Sequence, residues 1–251
     1  MYKILAIGNS FSEDATYYLH QTAKAAGIET KVVNLYIGGC SLERHWSNVE
    51  SGEAAYQYQI NGVNTERFVS IQEMLKEDTW DYIITQQASH DSGWEETYEP
   101  FLGLLIEYLK NNSPQAQICL QKTWAYETDS NHWGYMRYHR NQEEMFERLS
   151  KCYEHMSTKY NLPMIPCADV IQKLRGTEIF LKQVGGRSIC RDGFHMHYIY
   201  GRYALACSWV GKLFHISLEQ NSYIPQTELQ PEEQADEYVL SVIRRAVDEC
   251  V

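Results

Sequence analysis

The chain has 251 residues, 44% hydrophobic and 22% charged, which is ordinary globular usage and enough for a packed α/β core. A formal net charge of -11 argues against nucleic acid or an anionic membrane surface as partner, since both repel an acidic protein. No apolar run approaches the ~20 residues that span a bilayer, so a membrane partner is not expected.

In chain order, the N-terminus runs straight into an apolar strand, Lys3–Ile7. It lacks a charged leader followed by a signal-like stretch, so the expected location is cytoplasmic, or secreted if a leader has been trimmed. Short apolar runs then alternate with longer amphipathic stretches, the pattern of parallel βαβ units. Strands are expected at Lys3–Ile7, Lys31–Tyr36, Trp80–Thr85, Gln117–Gln121 and Leu162–Ile165. They are apolar on both faces, as a sheet covered by helices on both sides requires. Helices are expected at Glu13–Ala26, Arg67–Lys76, Pro100–Asn111, Arg137–Tyr160, Val170–Leu174, Ile199–Phe214 and Glu232–Cys250. In the first, Ala15, Tyr18, Leu19, Thr22 and Ala26 recur at helical spacing, Ser12 is a candidate N-cap and Gly27 a stop.

Two segments break the alternation. Residues 42–66 form a polar insert whose Asn61-Gly62 pair supplies the positive φ angles of a tight hairpin. Residues 124–136 form a loop with Trp124, Tyr126, His132 and Trp133, and long loops after strands border the ligand crevice of such sheets. No linker or repeat interrupts the chain, so a single domain over 1–251 is expected. The seven cysteines are odd in number and contain no CxxC pair, which suits reduced core thiols rather than disulfides or a zinc site. The 19 tyrosines suit either wet clefts or half-buried packing.

The sharpest local feature is Ile7-Gly8-Asn9-Ser10-Phe11-Ser12, between the first strand and the first helix. That position is the carboxyl edge of an open parallel sheet, where ligands bind. A serine there can attack a carbonyl while its own N–H helps hold the oxyanion. Ser and Asn are equally good capping residues, so these six residues alone leave nucleophile and cap open. Near the other end stands Asp192-Gly193-Phe194-His195-Met196-His197, ahead of an amphipathic helix. Asp and His three residues apart on such a turn can pair so that the second imidazole nitrogen is free to take a serine proton. An N-capping Asp192 and an inert His195 are the plain alternatives, and His197 is a rival base.

Taken together, these blocks resemble those of SGNH (GDSL-like) hydrolases: Gly8-Asn9-Ser10-Phe11-Ser12 the first, Asp192-Gly-Phe-His195 the last. The likeness is greatest to a bacterial branch whose opening reads much like Lys3-Ile-Leu-Ala-Ile-Gly-Asn-Ser-Phe-Ser12. The resemblance implies a flavodoxin-like three-layer α/β/α sandwich, with a five-stranded parallel sheet, and an ester-hydrolysing triad of Ser10, His195 and Asp192. It also implies an oxyanion hole made by the N–H of Ser10 and of Gly39, with Gly38 as alternate. The usual third donor, an asparagine of the third block, is missing. The third strand here ends in Thr85-Gln86-Gln87-Ala88-Ser89, so Gln86, or Gln87 as second choice, is expected to replace it. Asn9 stands where many relatives carry Asp.

The expected chemistry is acyl transfer through an acyl-Ser10 intermediate, with no cofactor and no metal. Trp46, Trp94, Trp124, Tyr126 and Trp133 fall in loops at the active edge. Of these, Trp124, Tyr126 and Trp46 are expected to bind substrate, a small-molecule or glycan ester with a small acyl group such as acetyl. The competing class is a catalytically silent SGNH-fold protein that binds carbohydrate or an anion. The oligomeric state is left open by the sequence.

Overall fold

The computed structural model describes residues 1–251. The first half runs β1 (Tyr2–Gly8), α1 (Ser10–Thr16), α2 (Leu19–Ala25), β2 (Thr30–Tyr36), α3 (Leu42–Ser51), β3 (Tyr56–Ile60), β4 (Val63–Val69), α4 (Ile71–Glu77) and β5 (Tyr82–Thr85). There follow α5 (Phe101–Asn112), β6 (Gln117–Gln121), α6 (Gln142–Tyr160), β7 (Met164–Ile165), α7 (Cys167–Arg175), α8 (Tyr200–Phe214) and α9 (Glu237–Asp248).

All seven strands share one mixed sheet in the order β4-β3-β2-β1-β5-β6-β7. Its five parallel strands are those expected from the sequence, and the two extra ones come from the 42–66 insert. There Asn61 and Gly62 take positive φ and close a hairpin that pairs antiparallel with β2. The expectation of a purely five-stranded parallel sheet is corrected accordingly. β4 continues through Arg67 to Val69, and Ser70 then caps α4 by accepting the Glu73 N–H, so the helix expected from Arg67 starts at Ile71 instead.

In β1, Ile4, Leu5, Ala6 and Ile7 are all fully buried. Since successive side chains point to opposite faces, both faces of the sheet are covered. α8 packs on α1, α2, α7 and α9, while α3 packs on α4 and α5. The expected first helix is split at Tyr17–Tyr18. The hairpin tip abuts this break: a Cβ on Gly62 would lie 2.1 Å from the Tyr17 carbonyl oxygen. All seven cysteines are free, and six are buried. No helix is long and apolar enough to cross a membrane.

One buried histidine is expected to make the fold acid-sensitive. His45 of α3 is fully enclosed beside Cys40 and the Tyr56 hydroxyl. Burial, then the nearby Arg44 charge, lowers its pKa from 6.5 to about 3. Below the ordinary histidine range the unfolded chain therefore binds a proton that the native one refuses, and stability falls as pH falls towards 3. One such proton corresponds to about 1.4 kcal/mol per pH unit. His45→Gln is expected to flatten the pH dependence of Tm between pH 6 and 4 by roughly that slope, as thermal melts across the interval would read. An unchanged slope would rule out His45 as the titrating group.

Candidate active site

The site is built where β1 meets α1. A Cβ on Gly8 would fall 2.5 Å from Ser12 Oγ, so only glycine allows this strand exit. Asn9, in extended backbone, is the N-cap, its Oδ1 accepting the Phe11 N–H, and α1 thus begins on Ser10. Ser12, the cap expected from sequence, donates instead to the Asn9 carbonyl and to Asn34. Freed from capping, Ser10 turns Oγ to His195 Nε2 at 2.8 Å.

The partner loop is a compact turn. Cys190 bridges Met196, the Arg191 N–H donates to the His195 carbonyl at 2.9 Å, and Gly193 takes φ 87°. Within it Asp192 Oδ1 accepts the N–H of Phe194 and of His195, and Oδ2 accepts from His195 Nδ1 at 2.7 Å. Burial would raise the Asp192 pKa. The His195 imidazole, its charge and the two amides outweigh that and hold the carboxyl below its usual value. Ser10, His195 and Asp192 thus form one continuous hydrogen-bonded chain. His197 is not part of it: Nδ1 accepts the amides of Ile199 and Tyr200 at the start of α8, and Nε2 lies 3.3 Å from Glu233.

Beside Ser10, the turn after β2 places Gly38 and Gly39 on a cleft of about 220 Å³, shared with Tyr36, His90, His132 and Phe194. Gly39 takes φ 64°. The amides of both glycines make no hydrogen bond within the protein. Asn9 Nδ2 donates to the Cys40 carbonyl at 3.0 Å, tying this turn to the nucleophile turn.

Neither Gln86, the expected third donor, nor Gln87, its alternate, lines the cleft. Gln86 Nε2 donates to Asn9 Oδ1 at 2.7 Å, and its Oε1 accepts from Gln121, whose own Oε1 accepts the Trp209 indole N–H. Gln87 accepts the amides of Leu42 and Ala88 and donates to Thr97. Both side chains hold neighbouring segments together. Trp124 and Tyr126 also differ from expectation, being fully buried. The indole of Trp124 stacks on Phe11 at 4.0 Å and donates to the Phe194 carbonyl, and Tyr126 bonds Ser89. They support the nucleophile helix and the His195 loop and offer no free face. Trp46, on α3, packs against Tyr108 of α5 and does not line the cleft. Trp94 is held between Arg137 and Arg148.

Two histidines line the cleft with no role foreseen from sequence. His132 Nδ1 accepts the Gly134 N–H at 3.0 Å, so the proton of the neutral ring is on Nε2. Burial, then the neighbouring His90 and His195, lowers its pKa to about 4, which keeps it neutral near pH 7. His90 pairs with Asp91. Trp133 stacks on His132 and contacts His90, and two-thirds of it is exposed. The sequence signal for this group was His132-Trp133, but its link to His90 needed the fold. No group of three or more His, Cys, Asp or Glu is placed to hold a metal ion.

Residues 3–237 match the family model of DUF4886, a domain of unknown function. The chain belongs to the DUF4886 family. A crystal structure of a DUF4886 family protein from Bacteroides uniformis is 34% identical, with a TM-score of 0.89 over 99% of this chain and 93% of that one. Two further structures are similar to this DUF4886 chain at much lower identity. A protein of Slackia heliotrinireducens assigned to the SGNH hydrolases has 18% identity and a TM-score of 0.57, over 84% of this chain and 98% of that one. A catalytic mutant of an acetylxylan esterase from Geobacillus stearothermophilus has 12% identity and a TM-score of 0.57, over 84% and 94%. At these identities the likeness establishes an SGNH-like α/β fold. Among curated proteins none matches.

Proposed function

We propose that this protein is a serine esterase that removes a small acyl group, acetyl, from a carbohydrate alcohol. The observation that carries the reading is the Ser10–His195–Asp192 chain, with both contacts at hydrogen-bonding distance. In the reaction His195 Nε2 takes the Ser10 proton as Oγ attacks the ester carbonyl. The imidazolium then protonates the leaving alcohol, and His195 next activates the water that releases the acid. The backbone N–H groups of Ser10 and Gly39 stabilise the oxyanion. The Gln86 amide takes no part in this, since it bonds Asn9 and does not line the cleft.

The cleft of about 220 Å³, lined mostly by polar residues and glycines, suits a short acyl group better than a long apolar chain. On the alcohol side the exposed Trp133 face and the Nε2–H of neutral His132 suit a hydroxyl-rich ring. Support for a sugar ester also comes from the fold shared with the acetylxylan esterase. One observation favours the second reading, a silent carbohydrate-binding SGNH fold: the engagement of Gln86 leaves the oxyanion without a side-chain donor.

A fluorophosphonate probe separates the two, because covalent labelling needs an activated serine. Labelling is expected at Ser10, and its absence from the folded protein would leave the binding reading. Among p-nitrophenyl esters, kcat/KM is expected to fall at least tenfold from acetate to octanoate, with acetate released from acetylated xylan. A preference for octanoate would overturn the small acyl group.

A further inference from the structure

Ser10 and His195 are 185 residues apart and are carried by different elements, α1 and the loop before α8. That loop's own bonds, such as Arg191 N–H to the His195 carbonyl, set its internal shape. They do not set its distance from α1.

Asp14 stands one helical turn after Ser10, on the same side of α1, and is fully buried. Its Oδ2 accepts the N–H of Met196, the residue after His195, at 2.8 Å. Both its oxygens accept from Nη1 of Arg191, the residue before Asp192, at 2.9 and 3.1 Å. Oδ1 also accepts Nε of Arg202, on α8, at 2.8 Å. The same Arg191 Nη1 reaches the Met196 carbonyl, and both guanidinium groups lie over the Tyr198 ring. Apart from the Ser10–His195 bond itself, every hydrogen bond from residues 190–197 to α1 ends on Asp14.

We propose that Asp14 is a positioning residue: its carboxylate grips the Asp192–His195 segment at both ends and sets Nε2 at bonding distance from Ser10 Oγ. The proposal rests on Ser10 being the nucleophile. A buried ion pair is a poor source of stability compared with apolar packing, but it fixes geometry. That matters at this place, since a displacement of about 1 Å can cost ~10² in rate.

The test uses two substitutions in the full chain. Asp14→Asn keeps the shape and removes the charge. Arg191→Met keeps the apolar stem and removes the grip on the loop, and it decides the matter if the first variant does not fold. Each is expected to lower kcat for p-nitrophenyl acetate by roughly 10²-fold with KM within about twofold, and to slow fluorophosphonate labelling of Ser10 in parallel. Arg191→Lys is expected to recover part of the loss. Leu240→Ala, a buried change in α9 outside the cleft, controls for lost stability: it is expected to lower Tm while kcat below the transition stays at the wild-type value. Wild-type kcat and labelling in folded Arg191→Met would overturn the proposal, as would an equal kcat loss in Leu240→Ala. Retained activity in Ser10→Ala would instead remove the esterase reading beneath it.

Discussion

Ser10→Ala is expected to abolish hydrolysis of p-nitrophenyl acetate and to leave the melting temperature within a degree or two of the wild type. Two features of the turn separate these outcomes. Ser10 is only part-buried, and the hydrogen bond of its Oγ runs to His195. The helix start is held by other groups, since Asn9 caps α1 and Gly8 gives the tight exit. Removing one hydroxyl therefore costs the fold little. In the proposed reaction it removes the covalent step. Loss of the serine from a triad of this kind lowers kcat by about 10⁶, the residue coming from oxyanion donors and binding. Steady-state rates alongside a thermal melt provide the check. A folded Ser10→Ala protein that turns over the ester at the wild-type rate would remove Ser10 from the mechanism.

The parallel strands were readable because their apolar character is local: Gln117–Gln121 was placed to the residue, and β1 and β2 to within one residue at each end. The hairpin turn was readable too, because Asn61-Gly62 carries its own backbone preference. Its attachment to β2 was not, since antiparallel pairing between distant segments leaves no local trace. β4 was misread as a helix start for a related reason. Its side chains are mostly exposed, with only Val69 buried, so an edge strand of this kind lacks the apolar alternation that marks a half-buried one.

The three residues that meet in the Ser10–His195–Asp192 hydrogen-bonded chain were legible because each stands in a short block with its own turn chemistry. The surroundings of Gln86 were not, and that has a definite cause. β1, β5 and β6 are neighbours in the sheet, so Asn9, Gln86 and Gln121 arrive side by side at its carboxyl edge. Three amides in a row bond one another, and the glutamine that a linear reading aims at the cleft is turned sideways along the sheet. The aromatic residues failed in the same way. Trp124, expected to bind substrate, is fully buried and stacks on Phe11 instead. The exposed face belongs to Trp133, whose stacking partner His132 and neighbour His90 come from two different loops.

Asp192→Asn is expected to lower kcat by about 10⁴ with the loop in place, a loss of the size seen when a triad carboxylate becomes an amide. The geometry permits this separation because the two carboxylate oxygens do different work. Oδ1 accepts the amides of Phe194 and His195 and so shapes the turn, a task the asparagine carbonyl can take over. Oδ2 accepts from His195 Nδ1. An amide nitrogen there donates where the carboxylate accepted, which moves the ring proton to Nε2, so that His195 can no longer receive the proton of Ser10. The same contacts bear on pH. Because they hold the carboxyl below its usual value, its contribution to stability is fully present above the ordinary carboxylate range and is lost only as pH falls below it. The Asp192–His195 turn should therefore stay closed at pH 5, where Asp192→Ala, lacking both oxygens, opens it. Amide exchange at Phe194 and His195 in the three proteins would show the difference. Equal protection in wild type and Asp192→Asn, with activity lost in the amide alone, is the expected pattern. Wild-type kcat in Asp192→Asn would show that the imidazole needs no carboxylate and would take Asp192 out of the triad.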